Sequence, residues 1–121
     1  MTFEADLFTV LKAAAPAAGT RVFPDFAPVR TARPYITWQQ VGGDVINLLN
    51  NAAPGRRHAE IQVNVWADTR AQALALSRAI EDAMRASTSF IAKPMAAAVA
   101  DFDADVPVYG CIQSFGCWHT T

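Results

Sequence analysis

The chain has 121 residues, the length of one domain with a single core. Hydrophobic residues make up 52% of it and charged residues 17%, a composition typical of a folded protein rather than a disordered one. The net charge of −1 provides no basic excess of the kind that drives general DNA binding, so we do not expect a free-standing nucleic-acid binder. The sequence predicts a single domain over residues 1–121.

Two features predict that the protein is made in the cytosol. Residues 1–6 are acidic where a signal peptide is basic, and no apolar stretch reaches the ~18 residues that span a membrane.

Cys111 and Cys117 share one strand-like segment, which holds them about 20 Å apart, beyond the reach of a disulfide. We expect both to be reduced packing residues, and we expect no membrane contact.

The N-terminal half predicts a helix followed by short strands. Thr2 is placed to cap a helix whose apolar residues recur at helical spacing as far as Ala14, and Pro16 ends it. Prolines within residues 21–33 restrict any strand there to a short one at an edge. Alternating residues predict a strand at 35–41, and turn-forming residues predict a turn at 42–44 and an exposed loop at 50–57. The apolar piece between them, 45–49, is a candidate for a returning strand.

The C-terminal half predicts strands on either side of a second helix. Residues 59–67 alternate, with Ile61, Val63 and Val65 toward the core, and the polar opposite face favours an antiparallel or mixed sheet. Thr69 caps the helix, and two strands follow at 97–105 and 108–119. The predicted fold class is α+β, with a mixed or mostly antiparallel sheet of about four to five strands and two helices packed on one face.

Three aspartates form the most distinctive charged pattern. Asp101, Asp103 and Asp105 alternate with other residues, so on a strand all three project from one face about 7 Å apart. A calcium loop begins with this spacing, but Val106 and Ile112 stand where that loop needs Gly and Glu. Metal binding is therefore the weakest of three interpretations. The others are a solvated strand face that discourages edge pairing and an acidic stripe used in assembly.

The sequence offers little support for catalysis. Cys117 and His119 share a strand face, but about 7 Å separates their Cα atoms and nothing orients the histidine as a base. Nucleotide-binding loops, a nucleophile elbow and zinc-ligand spacing are all missing from the sequence. We therefore expect a protein that is not an enzyme and that needs no cofactor or metal.

Two other groups of residues are candidates for contact with a partner. Arg56 and Arg57, beside His58 in the predicted loop, make a basic point that either meets an acidic partner or only keeps the loop soluble. Alternation places Trp66 on the face opposite Ile61. Trp66 therefore lies under another element of the chain or is exposed for an oligomer contact, and both interpretations remain open.

The order of these elements resembles a known family. An N-terminal helix precedes residues 34–41 (PYITWQQV) and a loop rich in Gly and Asn; residues 61–67 (IQVNVWA) lead into an Ala-rich helix, and the last strand closes on residues 115–118 (FGCW). This arrangement resembles the small tail-completion proteins of long-tailed bacteriophages, which are related in fold to tail terminators and occur also in prophages and gene-transfer agents. The resemblance covers roughly residues 3–119 and rests on two strand motifs and the element order.

The resemblance implies a structural role in particle assembly. Such proteins form a hexameric ring on the head-proximal end of the tail tube and join it to the head connector, with DNA only passing through the lumen. The expected partners are other copies of this chain, the tail-tube protein and a connector or stopper protein. The expected locations are the bacterial host cytoplasm during assembly and then the head–tail junction of the virion.

The family transfers no catalytic residue to this sequence, so the interface candidates come from the chain itself: Arg56, Arg57, Trp66, Asp101, Asp103 and Asp105. The aspartates face either a neighbouring subunit or the lumen, where repeated negative charge keeps passing DNA from sticking. Two other classes stay open. One is a small-ligand or regulatory binding domain of a bacterial cytosolic protein, and the other is a hydrolase that uses Cys117 or the aspartates.

Overall fold

The computed structural model describes residues 2–120, which form two helices and six strands. The helices and strands, in chain order, are α1 Phe3–Ala14, a short 3-10 helix Pro16–Ala18, β1 Val22–Pro24, β2 Tyr35–Gln40, β3 Arg56–Ala67, α2 Arg70–Ala86, β4 Ile91–Pro94, β5 Val99–Asp103 and β6 Val108–Thr120. None of these helices is long and apolar enough to cross a membrane.

The strands make one mixed sheet in the order β1-β2-β3-β6, with β4 and β5 both on the outer side of β6. The pairing of β1 with β2 is parallel, and the others are antiparallel. β3 and β6 form a long central ribbon, paired from Arg56 with Thr120 to Ala67 with Tyr109. The predicted α+β class is confirmed, with six strands instead of about four to five.

Both helices begin where the sequence places their caps. The Thr2 hydroxyl accepts a hydrogen bond from the Ala5 N–H, and the Thr69 hydroxyl accepts one from the Gln72 N–H. Each bond satisfies an amide that has no partner inside its helix. These local interactions explain why the starts of both helices are readable from sequence.

The core lies between the helices and one face of the sheet. Alternate residues of β3 are buried against helical side chains, which include Leu7 and Leu11 of α1 and Ile80 and Met84 of α2. Phe115 of β6 belongs to the same cluster and is fully buried. The prediction that both helices pack on one face is confirmed, and no helix formed by residues 2–120 lies on the other face.

The predicted strand at residues 45–49 is wrong. The Val41 N–H donates to the Glu60 carbonyl and the Glu60 N–H donates to the Gly42 carbonyl, so β3 is paired with the chain only up to Gly42. The other edge of β3 is occupied by β6. Beyond Gly42 the chain turns away from β3, and the Asp44 N–H bonds the His58 side chain instead of the β3 backbone, so residues 45–49 become part of a long loop.

Other strand limits also differ from the predicted ones. β3 begins at Arg56 rather than Ala59 because its first residues pair with the end of β6. The predicted strand at 97–105 is shorter, Val99–Asp103, and β4 was not predicted. These limits depend on a partner strand distant in sequence, which local alternation does not report.

A polar contact lies at the edge of the helix layer. The buried Gln113 side chain donates to Glu81 Oε1 at 2.7 Å and to the Ala96 carbonyl at 2.9 Å. The hydrogen bond from Gln113 lowers the pKa of Glu81; partial burial opposes this, and Arg85 adds a smaller lowering effect. The ionised form of Glu81 is thus favoured in the folded protein.

This contact predicts a pH dependence of stability. Because the pKa of Glu81 is lower when folded than unfolded, its stabilisation is present above the usual carboxyl pKa and is lost as pH falls through the folded value. We expect the free energy of unfolding of the wild type to fall more between about pH 6 and about pH 3 than that of Glu81→Gln, which cannot titrate. Urea unfolding at each pH measures both slopes, and equal slopes would contradict the prediction.

Candidate functional site

The structure separates the predicted interface residues into three places. Arg56 and Arg57 lie at the start of β3, and Asp101 and Asp103 lie on β5. Trp66 lies on the sheet face that carries no helix. Each place presents exposed or half-exposed side chains, so each is described in turn.

The uncovered face of the sheet is polar in its centre and aromatic toward its ends. Asn64 donates from Nδ2 to the Thr37 hydroxyl at 3.3 Å, while Asn64 Oδ1 is buried and accepts no hydrogen bond within residues 2–120. The ring of Trp66 lies over Gly110 of β6, where an added Cβ would be 2.8 Å from the ring. Trp66 therefore covers a neighbouring strand and stays half-exposed, as its predicted position opposite Ile61 requires.

The three aspartates do not form one stripe. Asp101 and Asp103 pair with Gly110 and Val108 and share one side of β5, but the strand ends at Asp103. Asp103 Oδ1 accepts hydrogen bonds from the N–H groups of Asp105 and Val106, at 3.0 and 3.4 Å, and this side-chain turn ends the strand. The predicted strand position is wrong for Asp105, which lies in the exposed turn that follows β5.

β5, which carries Asp101 and Asp103, is an exposed edge strand of the sheet. All five residues of β5 are exposed, and in the part of the chain that the structure describes β5 pairs only with β6. The Phe102 ring rests against Tyr109 with 4.7 Å between ring centroids, yet Phe102 remains 49% exposed. An edge strand with exposed apolar side chains is a surface that other chains can use.

The arginines lie on a strand rather than in the predicted loop. Arg56 and Arg57 pair with Thr120 and His119, and both side chains are exposed. Neither arginine forms an ion pair within residues 2–120. Their charges are therefore available to a partner, and they border the exposed loop that precedes β3.

Sequence reasoning missed the apolar character of that loop. Residues 41–55 form no strand or helix, and Val45, Leu48 and Leu49 are exposed, Val45 at 81% and Leu49 fully. The Asn51 N–H donates to the Leu48 carbonyl, and Asn51 adopts a positive φ of 57°, which makes a tight turn at the tip. The apolar run from 45 to 49 carries the right signal, but an apolar run of this length also predicts a strand.

The base of the loop is held by the sheet. The Asp44 N–H donates to His58 Nδ1 at 2.8 Å, and the His58 ring lies 4.5 Å from the Trp118 ring. Gly43 passes so close to β3 that an added Cβ would lie 2.4 Å from the His58 carbonyl oxygen. The loop therefore leaves the sheet in a fixed direction although its tip is exposed.

Cys117 and His119 pack against other side chains of the fold. Cys117 is fully buried, and burial raises the pKa of its thiol to about 12; burial also raises the pKa of Cys111. The His119 ring stacks on Phe3 with 4.2 Å between centroids. Both cysteines are free thiols, as predicted. Within residues 2–120, no group of three or more His, Cys, Asp and Glu side chains is placed to hold a metal ion.

Comparisons with known proteins agree with the family resemblance. No curated protein matches the sequence. A solved chain from the virion of a native gene transfer agent particle has the same fold, with a TM-score of 0.69 and 20% identity over 98% of this chain and 95% of that one. The family model described as tail completion protein gp17 matches residues 5–118. The chain therefore belongs to the tail completion protein gp17 family, whose role is structural, in completing a phage tail.

Proposed function

We propose that the protein assembles with copies of itself into a hexameric ring at the head-proximal end of a phage-type tail. The ring stops growth of the tail tube and joins it to the head connector or stopper protein. Copies are made in the host cytoplasm and then become part of the head–tail junction. This role needs no catalytic step, and its chemistry is that of surface contacts.

The observation that carries this proposal is the amount of apolar surface that the folded chain leaves uncovered. Leu49 and Val45 of the loop and Phe102 of the edge strand belong to a larger set of exposed apolar side chains. Single exposed apolar residues are ordinary, but groups of them at a loop and at a free strand edge indicate contact with other proteins. A subunit of a particle needs several such surfaces because it contacts its neighbours and the components above and below it.

The charge of the chain fits a ring through which DNA passes. The net charge is −1, so a ring built from this chain has no overall positive field to hold the DNA backbone. Contact with DNA is then transient, and the stable partners are proteins. The uncovered sheet face with Trp66 and the polar side chains around Asn64 is a second surface available to the tube or the connector.

Removal of the gene from the particle-producing host tests the proposal. We expect overlong tails or tails without heads, visible by electron microscopy, and restoration of complete particles when the wild-type gene is supplied in trans. Labelled protein in the restored particles should lie at the head–tail junction. Complete, active particles in the absence of the gene would overturn the proposal, and a ligand-binding role would then be tested first.

A further inference from the structure

Two exposed surfaces of opposite charge lie at opposite ends of the β3–β6 ribbon. We define the loop end as residues 44–57, which hold the exposed loop and the two arginines. We define the turn end as residues 99–106, which hold β5 and the turn after it. Each combines exposed apolar side chains with charges of mainly one sign.

The loop end is apolar with a basic margin. Leu48 and Leu49 are exposed at its tip, and residues 45–55 contain no charged side chain. Arg56 and Arg57 follow directly, and the only nearby carboxylate in the loop is Asp44, which lies 3.8 Å from His58. An apolar centre beside positive charge is suited to a partner surface that is apolar and acidic.

The turn end has the complementary composition. Val99, Phe102 and Val106 are exposed there, between 49% and 63%. Asp101, Asp103 and Asp105 lie in the same segment, and among residues 2–120 Arg70 is the basic side chain that lines the groove beside Asp101 and Phe102. Arg33 is paired with Asp68 at 3.0 Å. Arg33 also donates to the Pro107 carbonyl at 2.9 Å, which holds the turn in place.

These two surfaces cannot meet within one chain. Arg56 is in register with Thr120 of β6, and Asp103 is in register with Val108. At about 3.3 Å per residue, they lie about 40 Å apart along the strand. A second copy of the chain can bring the two surfaces together.

We propose that the loop end of one subunit docks on the turn end of the next, with Leu48 and Leu49 against the exposed edge of β5 and Arg56 and Arg57 beside the aspartates. This inference rests on the proposed function and names the contact that builds its ring. A contact between two different surfaces of identical chains is head-to-tail, and it closes into a ring when the rotation between copies allows. Free β5 edges are then covered by neighbouring subunits.

Charge reversal tests this contact in a host that lacks the gene. One variant carries Arg56→Glu and Arg57→Glu, and the other carries Asp101→Lys and Asp105→Lys. Asp103 is left intact because its side chain holds the turn. Each variant alone presents mainly like charges at every contact, so we expect the number of joined particles to fall about 100-fold.

Co-expression of the two variants is the decisive arm. Every contact between unlike variants then has opposite charges, so we expect joined particles to return to within about tenfold of wild type. The matched control, Lys12→Glu with Asp82→Lys, reverses two exposed charges on the outer sides of the helices, and it should leave the particle number unchanged. Circular dichroism and urea unfolding of each purified variant confirm that it folds.

The outcomes separate this contact from the proposed function. If gene removal blocks joining but either variant supports it alone, or the folded variants fail to rescue each other, the head-to-tail contact is wrong and the ring role stands. If joining is normal without the gene, the proposed function itself fails. The pairing would also be wrong if the Lys12→Glu, Asp82→Lys control lost as many joined particles as the two charge-reversal variants.

Discussion

Replacing Phe115 with alanine is expected to lower the free energy of unfolding by about 3–5 kcal/mol, the range for large aromatic side chains removed from cores. Phe115 is fully buried at the centre of β6, in register between Ile61 of β3 and Pro94 of β4. It belongs to the cluster that joins the sheet to Leu11 of α1. Neighbours on three elements cannot all move inward, so a cavity remains and adds to the lost burial. Urea unfolding measures the change.

Phe26→Ala is the matched control. Phe26 is 75% exposed, so the same substitution removes little buried surface and should change stability by about 0.5 kcal/mol or less. A loss at Phe115 no larger than that at Phe26 would show that the sheet and helices are not joined by this cluster. The comparison tests the arrangement of the core and does not depend on assembly.

The parts of the fold that follow from local chemistry were predictable. The hydroxyls of Thr2 and Thr69 cap the helices from within three residues, and the alternation of Ile61, Val63 and Val65 gives the buried face of β3 directly. These signals need no knowledge of the rest of the chain. Two helices on one face of a sheet follow from them, because each amphipathic element needs one apolar partner surface.

Most of the incorrect predictions depend on partners distant in sequence, and the one for Asp105 depends on a local side-chain turn. Arg56 and Arg57 are in a strand because the end of β6 extends far enough to pair with them. The run from 45 to 49 is not a strand because its backbone pairing with β3 ends at Gly42. Asp105 leaves the strand because Asp103 turns the chain, a side-chain choice that alternation does not reveal. Register and edge occupancy are properties of the whole sheet.

The charged residues of the candidate site were predictable from the sequence, but its exposed apolar residues were not. Charged residues such as Arg56 and Asp101 are usually exposed, so composition alone makes them interface candidates. Leu48 and Leu49 were missed because apolar residues are normally assigned to the core. Only their place in a loop outside the sheet shows that they face solvent. Exposed apolar side chains have the most informative role here and are the hardest to recognise from sequence.

The two glycines at the base of the loop give the second large expected effect. Gly42 and Gly43 have φ values of 125° and 143°, which an alanine adopts only with strain of about 1–3 kcal/mol. An added Cβ at Gly42 meets nothing within 4 Å, whereas at Gly43 it would lie 2.4 Å from the His58 carbonyl oxygen and 2.9 Å from the Ala59 Cα. We expect Gly43→Ala to destabilise the fold by about 1–3 kcal/mol more than Gly42→Ala, because the backbone of β3 has to move.

Comparing Gly43→Ala with Gly42→Ala also tests whether docking depends on the direction of the loop or only on its residues. Gly43→Ala leaves Leu48, Leu49, Arg56 and Arg57 unchanged but shifts the point from which the loop departs. If docking needs the loop in the direction set by Gly43 and His58, this variant should lose particle joining while Gly42→Ala retains most of it. Urea unfolding at a temperature where both variants are folded gives the stability difference. Equal stability and equal joining would show that the close approach of Gly43 to β3 does not direct the loop.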